Sequence, residues 1–298
     1  MTHAPHLHEF APAKVNLSLQ VKGRRLDGYH ELVSLVAFAT VGDQLSACKS
    51  SSGLNLDVVG ANGQTLKDEV PCFDDNILMQ AARALQHEVG TKQGADLSLE
   101  KNLPVAAGIG GGSADAAAAL RLLCSLWDLT ITPKQLATIA LGLGADVPVC
   151  LAGHATVMSG IGEVLSPKVS LPRLPCVLVN PRVSVPTGKV FEKLNAPLLE
   201  QEGPIICPTD FGTLDSLCHW LESHPNDLEK PAREIEPIIS DVLALLSHVG
   251  APRLTRMSGS GATCFGLYET QENADQAAAA MKVQQPNWWI EPCQLSAS

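Results

Sequence analysis

Near the start of the chain, apolar Val15, Leu17, Leu19 and Val21 alternate without a break with Lys14, Asn16, Ser18 and Gln20. A period of two predicts a half-buried strand with Lys14 and Asn16 on its polar face. Asp27–Gly28 predicts a turn, and Leu32 to Phe38 an apolar strand. Gly42 to Gly63 reads as further strands and turns that carry no chemistry. From Asn76 to Val89 the apolar positions fall at helical spacing (Ile77, Leu78, Ala81, Ala82, Leu85), and Ala95 to Leu99 forms a short strand. Ala114 to Trp127 is almost wholly apolar, the mark of a buried helix. Thr132–Pro133, a cap with proline at the first helical position, opens another helix to about Leu141. Leu171 to Pro175 reads as a linker. Beyond it the pattern predicts a strand at Cys176–Val179, a helix at Thr187–Leu194, a proline-rich loop to about Pro208, and amphipathic helices at 212–223 and 228–248. A strand (Arg253–Met257), a glycine turn (Ser258–Gly261), a strand (Ala262–Tyr268), a helix (Gln271–Val283) and a strand (Trp288–Leu295) complete it. Strand–helix–strand–strand–helix–strand is the split order of a ferredoxin-like α+β domain. The expected division is 1–170 and 171–298.

Composition narrows the partners. A formal net charge of −10 over 298 residues argues against nucleic acid and anionic membranes, which require a basic surface. With 45% hydrophobic and 17% charged residues the balance is that of an ordinary globular chain. The nine cysteines are odd in number and include no C-x-x-C pair, which speaks for a reducing compartment, the cytoplasm, and against a disulfide framework or a zinc cluster. No run of 18 apolar residues predicts a membrane span. Met1 to His8 lacks a secretory pattern, and its histidines read as a frayed tail.

Candidate chemistry centres on Gly108–Ile–Gly110–Gly111–Gly112, which runs into strong helix formers. Uncapped N–H groups and the positive end of a helix dipole make such a junction an anion site. Ser113 stands where the dinucleotide fingerprint needs its third glycine, and no lysine between Pro104 and Arg121 completes a Walker pattern. What remains is a nucleotide phosphate held by backbone donors, with any cation supplied from elsewhere; a flexible turn is the plainer alternative. Lys14 is an isolated cation that a solvated strand face would also explain. Asp146 sits among apolar neighbours in Gly144–Ala–Asp–Val–Pro148, as a functional carboxylate or as a turn or cap residue. Tyr29 and His30 at a turn exit suit packing as well as binding. A cation, a phosphate cradle and a carboxylate able to take a hydroxyl proton are the parts of a kinase.

Pro104–Val–Ala–Ala–Gly–Ile–Gly–Gly–Gly–Ser113–Ala–Asp115 resembles the second motif of the GHMP small-molecule kinase superfamily. Ala11–Pro–Ala–Lys14–Val–Asn16–Leu17 resembles its first motif and Arg256–Met–Ser–Gly–Ser–Gly261–Ala–Thr–Cys–Phe265 its third, in the family's order and spacing. Arg25–Leu–Asp27–Gly–Tyr29–His30–Glu31, Gly144–Ala–Asp146–Val–Pro148 and Asn226–Asp–Leu–Glu229 are similar to members whose substrate carries a cytidine diphosphate. The resemblance implies a two-domain GHMP kinase fold, with an N-terminal mixed α/β domain and a C-terminal ferredoxin-like domain. It implies phosphoryl transfer from ATP, accompanied by Mg2+, to a hydroxyl of a small cytidine diphosphate substrate of non-mevalonate isoprenoid synthesis.

The implied roles follow. Asp146 would be the catalytic base and Lys14 the cation beside it. ATP would be bound by Lys101 and Asn102 near the adenosine end and by Pro104, Gly108, Gly110, Gly111, Gly112, Ser113 and Ala114 along the loop and helix start. Asn16 would hold the substrate, Tyr29 stack on the base, His30 read its polar edge, and Phe191 stack from across the ring. Gly259, Ser260 and Gly261 would close over the reacting phosphates. No metal ligand is implied beyond the Ser113 hydroxyl, and the expected state is a monomer or weak homodimer. Ala106–Ala107 stands where relatives often carry a glycine. Kinases of mevalonate, phosphomevalonate or homoserine have no use for a base-reading aromatic at position 29. A nucleotide sensor without turnover does not need both Lys14 and Asp146.

Overall fold

The computed structural model describes residues 6–199 and 207–296; the Met1–Pro5 end of the tail and most of the proline-rich loop before Pro208 lie outside them. The first half of the chain runs β1 (Leu7–Asn16), β2 (Gln20–Arg24), β3 (His30–Ser50), β4 (Leu54–Val59), α1 (Gly63–Glu69), α2 (Ile77–Val89), β5 (Gly94–Glu100), α3 (Gly111–Leu126), α4 (Pro133–Leu143) and α5 (Val147–Ala152). The second half continues with β6 (Thr156–Gly160), β7 (Val164–Leu165), β8 (Leu174–Asn180), α6 (Thr187–Leu194), α7 (Leu214–Glu222), α8 (Glu229–Ile235), α9 (Ile238–His248), β9 (Leu254–Met257), β10 (Cys264–Leu267), α10 (Gln271–Gln284) and β11 (Trp289–Ser296).

No single boundary near residue 170 divides the chain. One unit comprises Met1–Ala13, Gly42–Val105 and Gly110–Ala152, the other Lys14–Val41, Ala106–Ile109 and Gly153–Ser298. The long strand β3 is the reason. Its first half pairs with β6 (Leu35↔Val157) and its second half with β5 (Leu45↔Leu99), so the division falls inside this strand, as it also does inside β1.

In the first unit β5 lies between β3 and β4, antiparallel to the one and parallel to the other (Leu56↔Leu97). Helices α2 to α5 pack on one another. Asn76 caps α2 by accepting from Leu78 N–H, and Thr132, the cap the sequence predicts, forms a reciprocal capping box with Gln135 on α4. The alanine-rich face of α3 is buried from Ala114 to Leu120.

In the second unit the strand order β11–β8–β10–β9 is antiparallel throughout, with Ile290↔Val179, Phe265↔Leu178 and Phe265↔Arg256 in register. This is the ferredoxin-like order. All seven residues of β8 are buried, and α9 and α10 contribute Ile239, Val242, Leu246, Ala277 and Met281 to a core shared with Tyr268. The helix expected over 228–248 is two helices. Pro237 has no N–H and forces the preceding Glu236 out of the helical region (φ −126°, ψ 88°), ending α8 and letting α9 restart.

The strand expected over residues 14–21 is also broken, between Asn16 and Gln20, where Leu17 and Ser18 N–H both donate to the Leu35 carbonyl. Its polar face is not wet. Lys14 is 3% exposed and Asn16 1%, so the solvated-strand reading of Lys14 fails.

Candidate active site

In the first unit the glycine loop runs into α3 through Gly110, whose left-handed backbone (φ 62°) provides no side-chain cap. The first closing backbone bond of the helix is Ala114 N–H to the Gly110 carbonyl. The first-turn amides therefore stand behind residues without side chains, a cradle shaped for an anion. Ser113 is half-buried beside them and Ala114 is buried.

Behind that turn lies a buried ion cluster. Lys101 Nζ is 2.6 Å from Asp43 Oδ2 and 2.6 Å from Asp115 Oδ2. Asp43 Oδ1 accepts from Asn102 N–H (2.6 Å) and Leu103 N–H (2.8 Å). The side chain of Lys101, expected at the adenosine end of ATP, is thus committed to two carboxylates and is 2% exposed. An ammonium removed from water needs such partners, and they hold its pKa above the ordinary range against the opposing effect of burial. Asp43 is the residue that sequence reasoning missed, in a stretch read as free of chemistry. Its signal is a carboxylate, Gly42–Asp43–Gln44, in the middle of a strand that is otherwise apolar-patterned there.

In the second unit the loop meets the third motif. Gly108 (φ 74°) has the Ser258 carbonyl oxygen 2.8 Å from where a Cβ would stand and the Gly261 carbonyl nearer still, so no side chain fits. Ser258 Oγ donates to the Gly108 carbonyl (3.1 Å) and accepts from Asn16 N–H (3.0 Å). Thr263 Oγ1 donates to the Ala107 carbonyl at 2.6 Å. Asn226, in the Asn226–Glu229 segment, donates from Nδ2 to the carbonyls of Met257 and Gly259, and Glu229 accepts from Met257 N–H. Thr187 at the start of α6 shares a 2.8 Å hydroxyl contact with Ser260. Arg256 braces the same motif by donating to the carbonyls of Leu17, Leu221 and His224.

Ala106 adopts φ 50° at the mouth of this loop, a conformation that costs a residue with a Cβ about 1–2 kcal/mol. Ala106→Gly removes that cost and adds chain entropy to the unfolded state, so a net stabilisation of up to about 1 kcal/mol is expected in chemical denaturation.

Asn16 Nδ2 donates to Ser34 Oγ (2.7 Å), while its Oδ1 is buried with no hydrogen-bond partner among the described residues. A buried acceptor without a donor is costly, and this oxygen has room for one more donor. Phe191 stacks on His30, with ring centroids 4.7 Å apart and planes at 26°. At that separation the two rings touch each other, so a base inserted from Phe191's side requires this stack to open. Tyr29 is 60% exposed, its N–H held by Asp27 Oδ1. Burial, with the Arg24 guanidinium adding to it, holds the His30 imidazole below its usual range. Neutral at pH 7, it offers one donor and one acceptor to a base edge. Lys14 belongs to the second unit, its N–H bonded to the Ile109 carbonyl. Asp146 belongs to the first, half-buried at the start of α5.

Comparison with known proteins decides the family. Residues 76–154 match the GHMP kinases N terminal domain and 203–286 the GHMP kinases C terminal. The 4-diphosphocytidyl-2-C-methyl-D-erythritol kinase of Parvibaculum lavamentivorans is 48% identical over 95% of this chain and 96% of its own length. That of Paramagnetospirillum magneticum is 47% identical over 96% and 97%. The chain belongs to the 4-diphosphocytidyl-2-C-methyl-D-erythritol kinase family. A crystal structure of a kinase of this name superposes with a TM-score of 0.80 at 34% identity, covering 98% of this chain and all of that one. Mevalonate kinase from L. major, at 17% identity and a TM-score of 0.69, shares the fold alone.

No group of three or more His, Cys, Asp or Glu is poised to hold an ion among the described residues, and Asp115, the acid nearest Ser113 in sequence, is bound to Lys101. No helix there is long and apolar enough to cross a membrane.

Proposed function

We propose that this chain transfers the γ-phosphoryl group of ATP to the 2-hydroxyl of 4-diphosphocytidyl-2-C-methyl-D-erythritol, releasing ADP and the 2-phosphate. The observation that carries the reading is near-full-length relationship, at 45–48% identity, to kinases of that name. The 2-hydroxyl oxygen forms a bond to the γ-phosphorus while the bond from that phosphorus to the β,γ-bridging oxygen breaks. Asp146 accepts the hydroxyl proton. The Lys14 ammonium steadies the hydroxyl oxygen as charge develops on it.

N–H groups from Gly108 to Ser113 hold the triphosphate, with Pro104 and Ala114 at the two ends of the loop and Asn102 toward the adenosine. Lys101 acts from behind the loop rather than on the nucleotide. Gly259, Ser260 and Gly261 cover the reacting phosphates. Mg2+ accompanying ATP would be held on the protein side by the Ser113 hydroxyl and would supply charge neutralisation. Asn16 Oδ1, buried and without a hydrogen-bond partner among the described residues, accepts a hydroxyl of the substrate. Tyr29 and Phe191 flank the cytosine and His30 reads its edge. The enzyme works on a small molecule in the cytoplasm as a monomer or weak homodimer, away from nucleic acid and membranes, in keeping with a net charge of −10.

The deciding experiment offers the purified protein ATP with the diphosphocytidyl substrate, mevalonate or homoserine. Phosphorylation of the first alone is expected; turnover of either of the others instead would overturn the reading. His30→Ala is expected to raise KM for the cytidine substrate about tenfold or more and leave KM for ATP unchanged, because a base edge is left without its partner. Equal losses for both substrates would remove His30 from the base site.

A further inference from the structure

The apolar run Leu32–Val–Ser34–Leu–Val–Ala–Phe38 contains a single polar residue. Ser34 is fully buried, opposite Met158 in the part of β3 that pairs with β6. A hydroxyl in such a place is costly unless its hydrogen bonds are made, and here they are. Its Oγ donates to the Ser18 carbonyl (2.5 Å) and accepts from Asn16 Nδ2 (2.7 Å). The end of this chain fixes its direction. A peptide carbonyl only accepts, so the Ser34 proton is committed to Ser18 and lone pairs alone remain to face Asn16. The half of the Asn16 amide that turns to Ser34 is therefore its NH2, and the amide oxygen points the other way. The main chain of Asn16 is held as well, its N–H donating to Ser258 Oγ (3.0 Å). Asn16 is 1% exposed, and its Oδ1 has no hydrogen-bond partner among the described residues. A Cβ on Gly259 would stand 3.3 Å from that oxygen, so it faces the third-motif turn where the turn carries no side chain.

We infer that Ser34 is a positioning residue that sets specificity: it holds the Asn16 amide with its oxygen toward the substrate, so that the group taken there is a hydrogen-bond donor, a hydroxyl. The inference rests on the reading of Asn16 as a residue of the substrate site. Without the Ser34 hydroxyl the amide can turn over about its last torsion and present NH2 or oxygen alike, and the discrimination is lost. A buried acceptor left unpaired rejects an analogue lacking the hydroxyl more strongly than apolar packing does.

The test is steady-state kinetics of the full chain with ATP and the diphosphocytidyl substrate, or its 1-deoxy or 3-deoxy analogue, which lack in turn the two erythritol hydroxyls that receive no phosphate. Wild type is compared with Ser34→Ala and with the closer-fitting Ser34→Cys, whose thiol is a weak acceptor. In the wild type, removing the hydroxyl that Asn16 takes is expected to raise KM about tenfold. In both variants KM for the complete substrate is expected to rise about tenfold and KM for ATP to stay unchanged. The penalty for the same missing hydroxyl is expected to shrink in them to about twofold, because the two changes remove one interaction. A serine that only packed β3 would leave that penalty at its wild-type size, and this result overturns the inference. So does a wild type indifferent to both deoxygenations. Absence of turnover of the complete substrate by the wild type overturns the reading of the function as well. Failure of both variants to fold also overturns the inference, because the hydroxyl would then serve stability and not orientation.

Discussion

Asp146→Asn is expected to lower kcat by about 10²–10⁴-fold while ATP binding stays near the wild-type value, because the amide fills the same space and cannot take a proton. Coupled measurement of ADP release gives kcat, and calorimetry on the same preparation gives nucleotide affinity. The pair of readings matters more than either alone. A turn or cap aspartate, the plain alternative at the start of α5, would give a loss of about 0.5–2 kcal/mol in stability and little change in kcat at saturation. A fall in ATP affinity as large as the fall in kcat would move Asp146 from proton transfer to nucleotide binding.

Lys101→Ala carries the second large effect, and on a different observable. Removing the ammonium leaves Asp43 and Asp115 facing each other in a site almost without solvent. Breaking a buried pair in this way costs about 3–5 kcal/mol, visible as a large fall in the denaturation midpoint. The loss also acquires a pH dependence. With the cation gone, the Asp115 carboxyl, raised by burial in the folded chain, loses the attraction that opposes the rise, so the variant is least stable where that carboxyl ionises and regains stability as the pH falls. A lysine that served only to contact ATP would raise KM for ATP and leave the midpoint where it was. The cluster geometry predicts the opposite ranking, with stability falling first.

Much of the architecture was readable from the chain because its signals are local. The cap at Thr132, the apolar run after Ser113 and the strand–helix order beyond residue 176 each depend on a few neighbouring residues, and each forms where expected. The division into units was not readable, because it cuts through the strands β1 and β3, and nothing in their apolar patterns marks the change. The burial of Lys14 and Asn16 was hidden too. Alternation shows that two faces differ in polarity, not that both are covered. Asp43 illustrates the general difficulty at the candidate site. Its partner Lys101 is 58 positions away, and a carboxylate whose meaning lies in a distant cation looks like any other polar residue in its own segment. Glycine motifs announce themselves because backbone conformation demands the residue; ion clusters do not, because either partner is chemically ordinary until the fold joins them.

The confinement of Lys101 bears on reagent design. Acylating or sulfonyl fluoride probes built on a nucleotide scaffold depend on an accessible, unprotonated amine near the adenosine. Here the residue most readily chosen from the motif is sealed between two carboxylates and held in its protonated form. Covalent ligands directed at it should leave this protein unlabelled.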